Sequence, residues 1–244
     1  MIPLIAVAHG SRDPRSAATV SAAIAAIRAT RPDLDVRLCF LDLSAPSVDQ
    51  VIDSVAADGY RAAVVVPLLL GSAFHARVDL PGLLAATQAR HLGLRLEQAD
   101  VLGADDRLLA AVRNRIVETG ADTHDRLGIA LAAVGSSAEA ANIRTRAIAR
   151  RLTAGTRWDA VTCFATSAQP SVGQAISTLQ LRGAHRIVVA PWFLAPGLLT
   201  DRVIDAAPHA AHAATIGAHP LLVDVVLDRY AAAVARTEQT RLSA

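Results

Sequence analysis

A chain of 244 residues that is 52% hydrophobic has ample material for a buried core, and room for one large or two small domains. Its net charge of +2, with all 24 basic residues Arg and no basic run, gives no footing for nucleic acid. The longest apolar run, 62–70, is far too short to span a bilayer, Met1-Ile2-Pro3-Leu4 has no basic leader, and two cysteines make no disulfide framework. A cytoplasmic protein without membrane or nucleic-acid partners is the expectation.

The elements alternate along the chain. A short apolar run at 4–8 reads as a buried strand, and 14–30 as a helix that starts after Asp13 with Pro14 at its first position. A strand at 36–40 follows, then a helix at 47–57 closed by Gly59. The run 62–70 shows no polar alternation, as a strand covered on both faces would. A helix at 78–88, a weaker strand at 94–102 and a helix at 105–117 complete the first half. The second half repeats the order, with strands at 128–134, 160–164, 186–192 and a poor one near 215–216. Its helices fall at 138–152, 171–181, 200–207 and 221–236.

The repetition is visible residue by residue. Cys39-Phe40 recurs as Cys163-Phe164, Pro46-Ser47-Val48 as Pro170-Ser171-Val172, Gly59 as Gly183 and Pro67 as Pro191, each 124 positions later. Gly10-Ser11 matches Gly135-Ser136 at 125. This is internal duplication, with halves at 1–121 and 122–244. Strand–helix alternation implies parallel sheets covered on both faces. The expected fold is α/β, two tandem flavodoxin-like domains facing each other across a cleft. Equivalent positions in equivalent strands make Cys39 and Cys163 buried small hydrophobes rather than a thiol site.

Open parallel sheets bind ligands beyond the carboxyl ends of their strands. There the first half places His9, Asp42 and, after Gly71-Ser72-Ala73-Phe74, His75. With the strand order 2-1-3-4 these three share one rim, and two imidazoles with a carboxylate suit a divalent metal. The matching residues of the second half are Val134, Thr166 and Leu199, so the scaffold is duplicated and the polar trio is not. The plainer readings are helix caps or surface residues, and Asp42 in particular is a common cap type. Arg12, Arg15 and Arg77 flank the trio, where a guanidinium suits a substrate carboxylate. The Gly10-Ser11 and Gly71-Ser72 turns have the form of weak anion sites. Of the other histidines, His209 and His212 have the i, i+3 spacing of helical metal ligands, but Pro208 argues for a helix end, and a solvated pair is expected.

The runs from Ala6 to Pro14, Ala-Val-Ala-His-Gly-Ser-Arg-Asp-Pro, and from Pro67 to Pro81 resemble the sirohydrochlorin chelatases, the class II tetrapyrrole chelatases, in their two-domain CbiX/SirB type. The resemblance covers essentially the whole chain. It implies that His9 and His75 bind the incoming metal and assist proton removal from the macrocycle, and that Asp42 completes the site where relatives often carry Glu. Ser11, Arg12, Ser72 and Arg77 would then contact the substrate. The function implied is insertion of Fe2+ or Co2+ into sirohydrochlorin, toward siroheme or cobalamin, by a lyase-class enzyme. No cofactor is called for beyond the substrate metal, and a duplicated chain can work as a monomer. A non-catalytic metal or tetrapyrrole carrier on the same fold is the alternative. A phosphate-binding protein using the Gly-Ser turns is weakened by the lack of a Gly-rich loop.

Overall fold

The computed structural model describes residues 1–71, 79–166 and 168–242. The first sheet is built from β1 (Leu4–Ala8), β2 (Val36–Phe40), β3 (Ala62–Pro67) and β4 (Arg95–Gln98), all parallel, in the order β2-β1-β3-β4. The second uses β5 (Leu127–Ala133), β6 (Asp159–Phe164), β7 (Arg186–Pro191) and β8 (Ala211–His212) in the same order, β6-β5-β7-β8. Val7 pairs with Cys39, and Ala132 with Cys163, so the two sheets share one register as well as one topology. The expected α/β duplication is therefore present in space.

The helices are α1 (Pro14–Thr30), α2 (Val48–Ala57), α3 (Leu80–Arg90), α4 (Asp106–Val117), α5 (Glu139–Thr153), α6 (Val172–Leu181), α7 (Leu198–Asp205) and α8 (Pro220–Leu242). Ser47 and Ser171 cap α2 and α6 with the same box, each accepting from the backbone N–H of a Gln that reaches back to the cap. Every residue of β1 and of β5 is buried, as central strands covered by helices on both faces must be. Ile5, Val7, Cys39, Ile52 and Val65 form one core, and Ala130, Ala132, Cys163, Leu179 and Val189 the other. Burial pushes the thiols of Cys39 and Cys163 up to about 12, which makes them inert hydrophobes. Among the described residues, no helix is long and apolar enough to cross a membrane.

The compact units do not divide at 121/122. One comprises Met1–Gly103 with Ala218–Ala244, the other Ala104–Gly217. Each sequence half gives its last helix to the other unit, where buried apolar side chains of α4 and α8 are joined by long polar contacts. On α4, Arg113 donates to the carbonyls of Arg151 and Leu152 in the last turn of α5, both at 2.6 Å. Arg115 donates to the carbonyls of Thr215 and Ile216. On α8, Arg229 donates to Val101 and Leu102 carbonyls at 3.1 Å, Tyr230 Oη to Ile2 at 2.6 Å, and Arg236 pairs with Glu97 at 3.0 Å.

Some boundaries differ from the sequence reading. β3 stops at Pro67 instead of running to 70, because the Leu69 N–H turns back to the Pro67 carbonyl at 2.9 Å. The last strand lies at Ala211–His212, not at 215–216. Ile216 is fully buried, but its N–H bonds to Phe193 outside the ladder, so its β-branched signal reported burial rather than pairing. Nor are His209 and His212 a solvated pair. His212 is half-buried in β8 with Nε2 at 2.8 Å from the Ala207 carbonyl, while His209 is exposed.

His219 is buried and its Nδ1 accepts the Leu221 N–H at 3.1 Å, inside the first turn of α8. His219→Ala should lower stability by about 1 kcal/mol, the usual worth of a lost cap. Thermal melting should show the drop, with activity per folded molecule unchanged.

Candidate metal centre

The carboxyl edge of the first sheet is built by extending β1 and β2 past their ends. Leu41 N–H donates to the Ala8 carbonyl at 2.9 Å, and Asp42 N–H to the His9 carbonyl at 3.0 Å. His9 and Asp42 are thereby adjacent on neighbouring strands, and both side chains are exposed. Gly10 makes this approach feasible. It sits at φ +93°, and a Cβ there would fall 1.7 Å from the Asp42 carbonyl oxygen.

Beyond Gly10 the loop is fastened to its neighbour. Ser44 Oγ accepts the Ser11 N–H at 3.1 Å and donates to the Ser11 carbonyl at 3.0 Å. Ser11 Oγ in turn accepts the Asp13 N–H at 3.0 Å. Asp13 then caps α1 by accepting from the Arg15 backbone at 2.9 Å, and the Arg15 guanidinium closes on its carboxylate. Hydrogen bonds from Arg15 hold the Asp13 carboxyl below the usual range. The contribution of this pair to stability is present above the ordinary Asp value and is lost as pH falls through the lowered one. Arg15 is thus engaged with Asp13, while Arg12 stands exposed on the same loop.

These contacts exclude the helix-cap reading of the two polar residues. Asp13 caps α1 and Ser47 caps α2, so neither His9 nor Asp42 caps the helix that follows its strand. Among the described residues, the Asp42 carboxylate accepts the Leu43 N–H, at 2.7 Å from Oδ1. His9 Nδ1 lies 3.3 Å from the Gly10 carbonyl.

The second sheet has the same edge without the donors. Thr166 N–H reaches the Val134 carbonyl at 3.1 Å, and its hydroxyl donates there too at 2.8 Å. Gly135 keeps the left-handed backbone at φ +88°. Asn142, from α5, closes both backbone groups of Ser136 at 2.9 and 2.8 Å, the task of Ser44 in the first unit. Val134 and Thr166 occupy the places of His9 and Asp42, and Leu199 lies on α7.

Of the residues singled out from sequence, His9 and Asp42 are joined through their backbones, and Ser11 and Arg12 lie on the adjoining loop. Ser72, His75 and Arg77 lie outside the described residues. Among the described residues, no group of three or more His, Cys, Asp or Glu side chains forms a metal site, and His9 with Asp42 supplies two donors. Sequence reading missed Leu43, Ser44 and Asn142. Nothing in their residue types marks a left-handed turn or a loop clasp, because both depend on the neighbouring strand.

The CbiX family model matches residues 3–119 and 128–233, which is both halves of the duplication. The chain belongs to the CbiX family. A sirohydrochlorin ferrochelatase of Priestia megaterium is 28% identical over 207 residues, 83% of this chain and 77% of that protein. A sirohydrochlorin cobaltochelatase of the same organism is 27% identical over 212 residues, 83% of this chain and 67% of that one. The solved structure of SirB from Bacillus subtilis with Fe3+ superposes with a TM-score of 0.83 at 24% identity, covering 98% of each chain. That likeness shows the fold.

Proposed function

We propose that this CbiX-family chain is a chelatase that inserts a divalent metal, Fe2+ or Co2+, into sirohydrochlorin. The observation that carries the reading is the adjacency of exposed His9 and Asp42 at a carboxyl edge whose duplicate holds Val134 and Thr166. The relatives named as ferrochelatase and cobaltochelatase of sirohydrochlorin support the substrate.

Insertion requires a partly dehydrated ion, two protons taken from pyrrole nitrogens, and a ring held with its lone pairs toward the metal. His9 and His75 are assigned to hold the ion through one ring nitrogen each, and in neutral form to accept a proton near neutral pH. Asp42 lowers the charge cost of the ion and relays protons outward. Its Oδ1 is oriented by the Leu43 N–H. Ser11, Arg12, Ser72 and Arg77 are assigned to the acidic side chains of the macrocycle, with guanidinium for carboxylate. The enzyme is proposed to work in the cytoplasm as a monomer, with no cofactor besides its substrate metal.

The test is anaerobic mixing of the purified chain with sirohydrochlorin and either Fe2+ or Co2+. Absorbance should move to that of the metallated macrocycle at a rate proportional to protein. A rate equal to the protein-free control with both metals would overturn the proposal.

A further inference from the structure

Leu43 combines two features that local structure does not reward. Among the described residues it is the non-glycine residue with a left-handed backbone, at φ 59°, which is disfavoured for a side chain with a Cβ. Its side chain is large, apolar and 48% exposed. Strained backbone of this kind is retained where the surroundings fix it, and it concentrates at ligand sites. Here the surroundings do fix it. Asp42 N–H continues the ladder to His9, Leu43 N–H turns to the Asp42 carboxylate, and Ser44 Oγ clasps Ser11. The turn places Leu43 next to Asp42, whose N–H bonds to the His9 carbonyl, and all three side chains are exposed. The matching residue of the second half is the polar Ser167, where the metal donors are also missing.

We infer that Leu43 is a substrate-positioning residue, whose side chain packs against the apolar ring system of the tetrapyrrole next to the metal donors. The inference rests on the chelatase reading and adds one apolar contact to it. A tetrapyrrole is flat and apolar at its centre and acidic at its margin. Cations suffice for the margin, but the ring needs apolar surface that leaves water on binding. Leu43 offers such surface within one residue of the proton relay.

The experiment compares Leu43→Gly, Leu43→Asn and Leu43→Met with wild type under anaerobic steady-state conditions, with sirohydrochlorin varied at saturating metal and the reverse. Gly and Asn accept the left-handed backbone and keep the N–H that orients Asp42, so both variants should fold, with melting temperatures at or above wild type. Their KM for sirohydrochlorin should rise about threefold to tenfold, the scale of an apolar side chain that is part-covered already. Their kcat and KM for metal should stay within about twofold. Leu43→Met should restore the tetrapyrrole KM. Wild-type KM values in folded Gly and Asn variants would overturn the assignment, and so would a fall in kcat alone, which would mark Leu43 as a support for Asp42 only. A wild-type protein that shows no insertion removes the chelatase reading itself. Normal wild-type turnover with unaffected variants removes only Leu43.

Discussion

His9→Ala is expected to lower metal insertion by about a hundredfold or more, the usual scale for a positioned acid–base group. The fold should survive the change. His9 is exposed beyond the end of β1, and the backbone carbonyl that receives Asp42 does not depend on the side chain. His75→Ala should show a loss of the same size. The double variant should be little worse than either single one, because residues acting on one ion and one pair of protons are not additive. Initial rates at fixed metal and tetrapyrrole measure all three. Val134→His with Leu199→His should not create a second site, since Thr166 brings no carboxylate and its hydroxyl is already donated to the Val134 carbonyl.

Gly10→Ala should be the most damaging single change to the rim. The added Cβ would lie 1.7 Å from the Asp42 carbonyl oxygen, and a backbone atom cannot move aside as a side chain can. Overpacking together with a forbidden φ should cost about 3 kcal/mol or more and separate the two loops. Insertion activity should be lost in whatever protein remains folded. Gly135→Ala is the internal control. Its Cβ would meet Thr166 Oγ1 at 2.5 Å, the tip of a rotatable side chain, at an edge without metal donors. It should lower stability less and leave activity per folded molecule unchanged. Urea unfolding midpoints and rates normalised to folded protein separate the two cases. Equal activity loss from both glycine variants would count against a site confined to the first edge.

The architecture was legible because duplication and apolar runs report burial, and burial dominates a parallel sheet. Cys39 and Cys163, with their neighbouring Phe residues, marked equivalent strands in sequence and share one register in space. The pair His9 and Asp42 was legible through strand-end placement alone. Helix exchange was not legible, since α4 and α8 dock through apolar faces that name no partner and through Arg113, Arg115, Arg229 and Arg236 reaching distant carbonyls and a carboxylate. An Arg in sequence carries no mark of which carbonyl it will meet. The turn at Leu43 escaped for a related reason. Left-handed backbone is announced by Gly or Asn, and here it is imposed on Leu by Ser44 and Asp42. The β8 position failed because Thr215-Ile216 has strand-like residues in a buried loop, while Ala211-His212 carries the pairing without a β-branched residue.

Catalysis at one rim is tested most directly by the number of metallated macrocycles formed per chain when sirohydrochlorin and metal are in large excess over protein. Many turnovers per wild-type chain, with insertion by the His9→Ala, His75→Ala double variant falling to near the protein-free rate, is the result expected. A burst that stops at one equivalent per chain, or turnover by the double variant equal to wild type, would contradict it. The first result would leave a tetrapyrrole or metal carrier, and the second would place the chemistry away from His9 and His75.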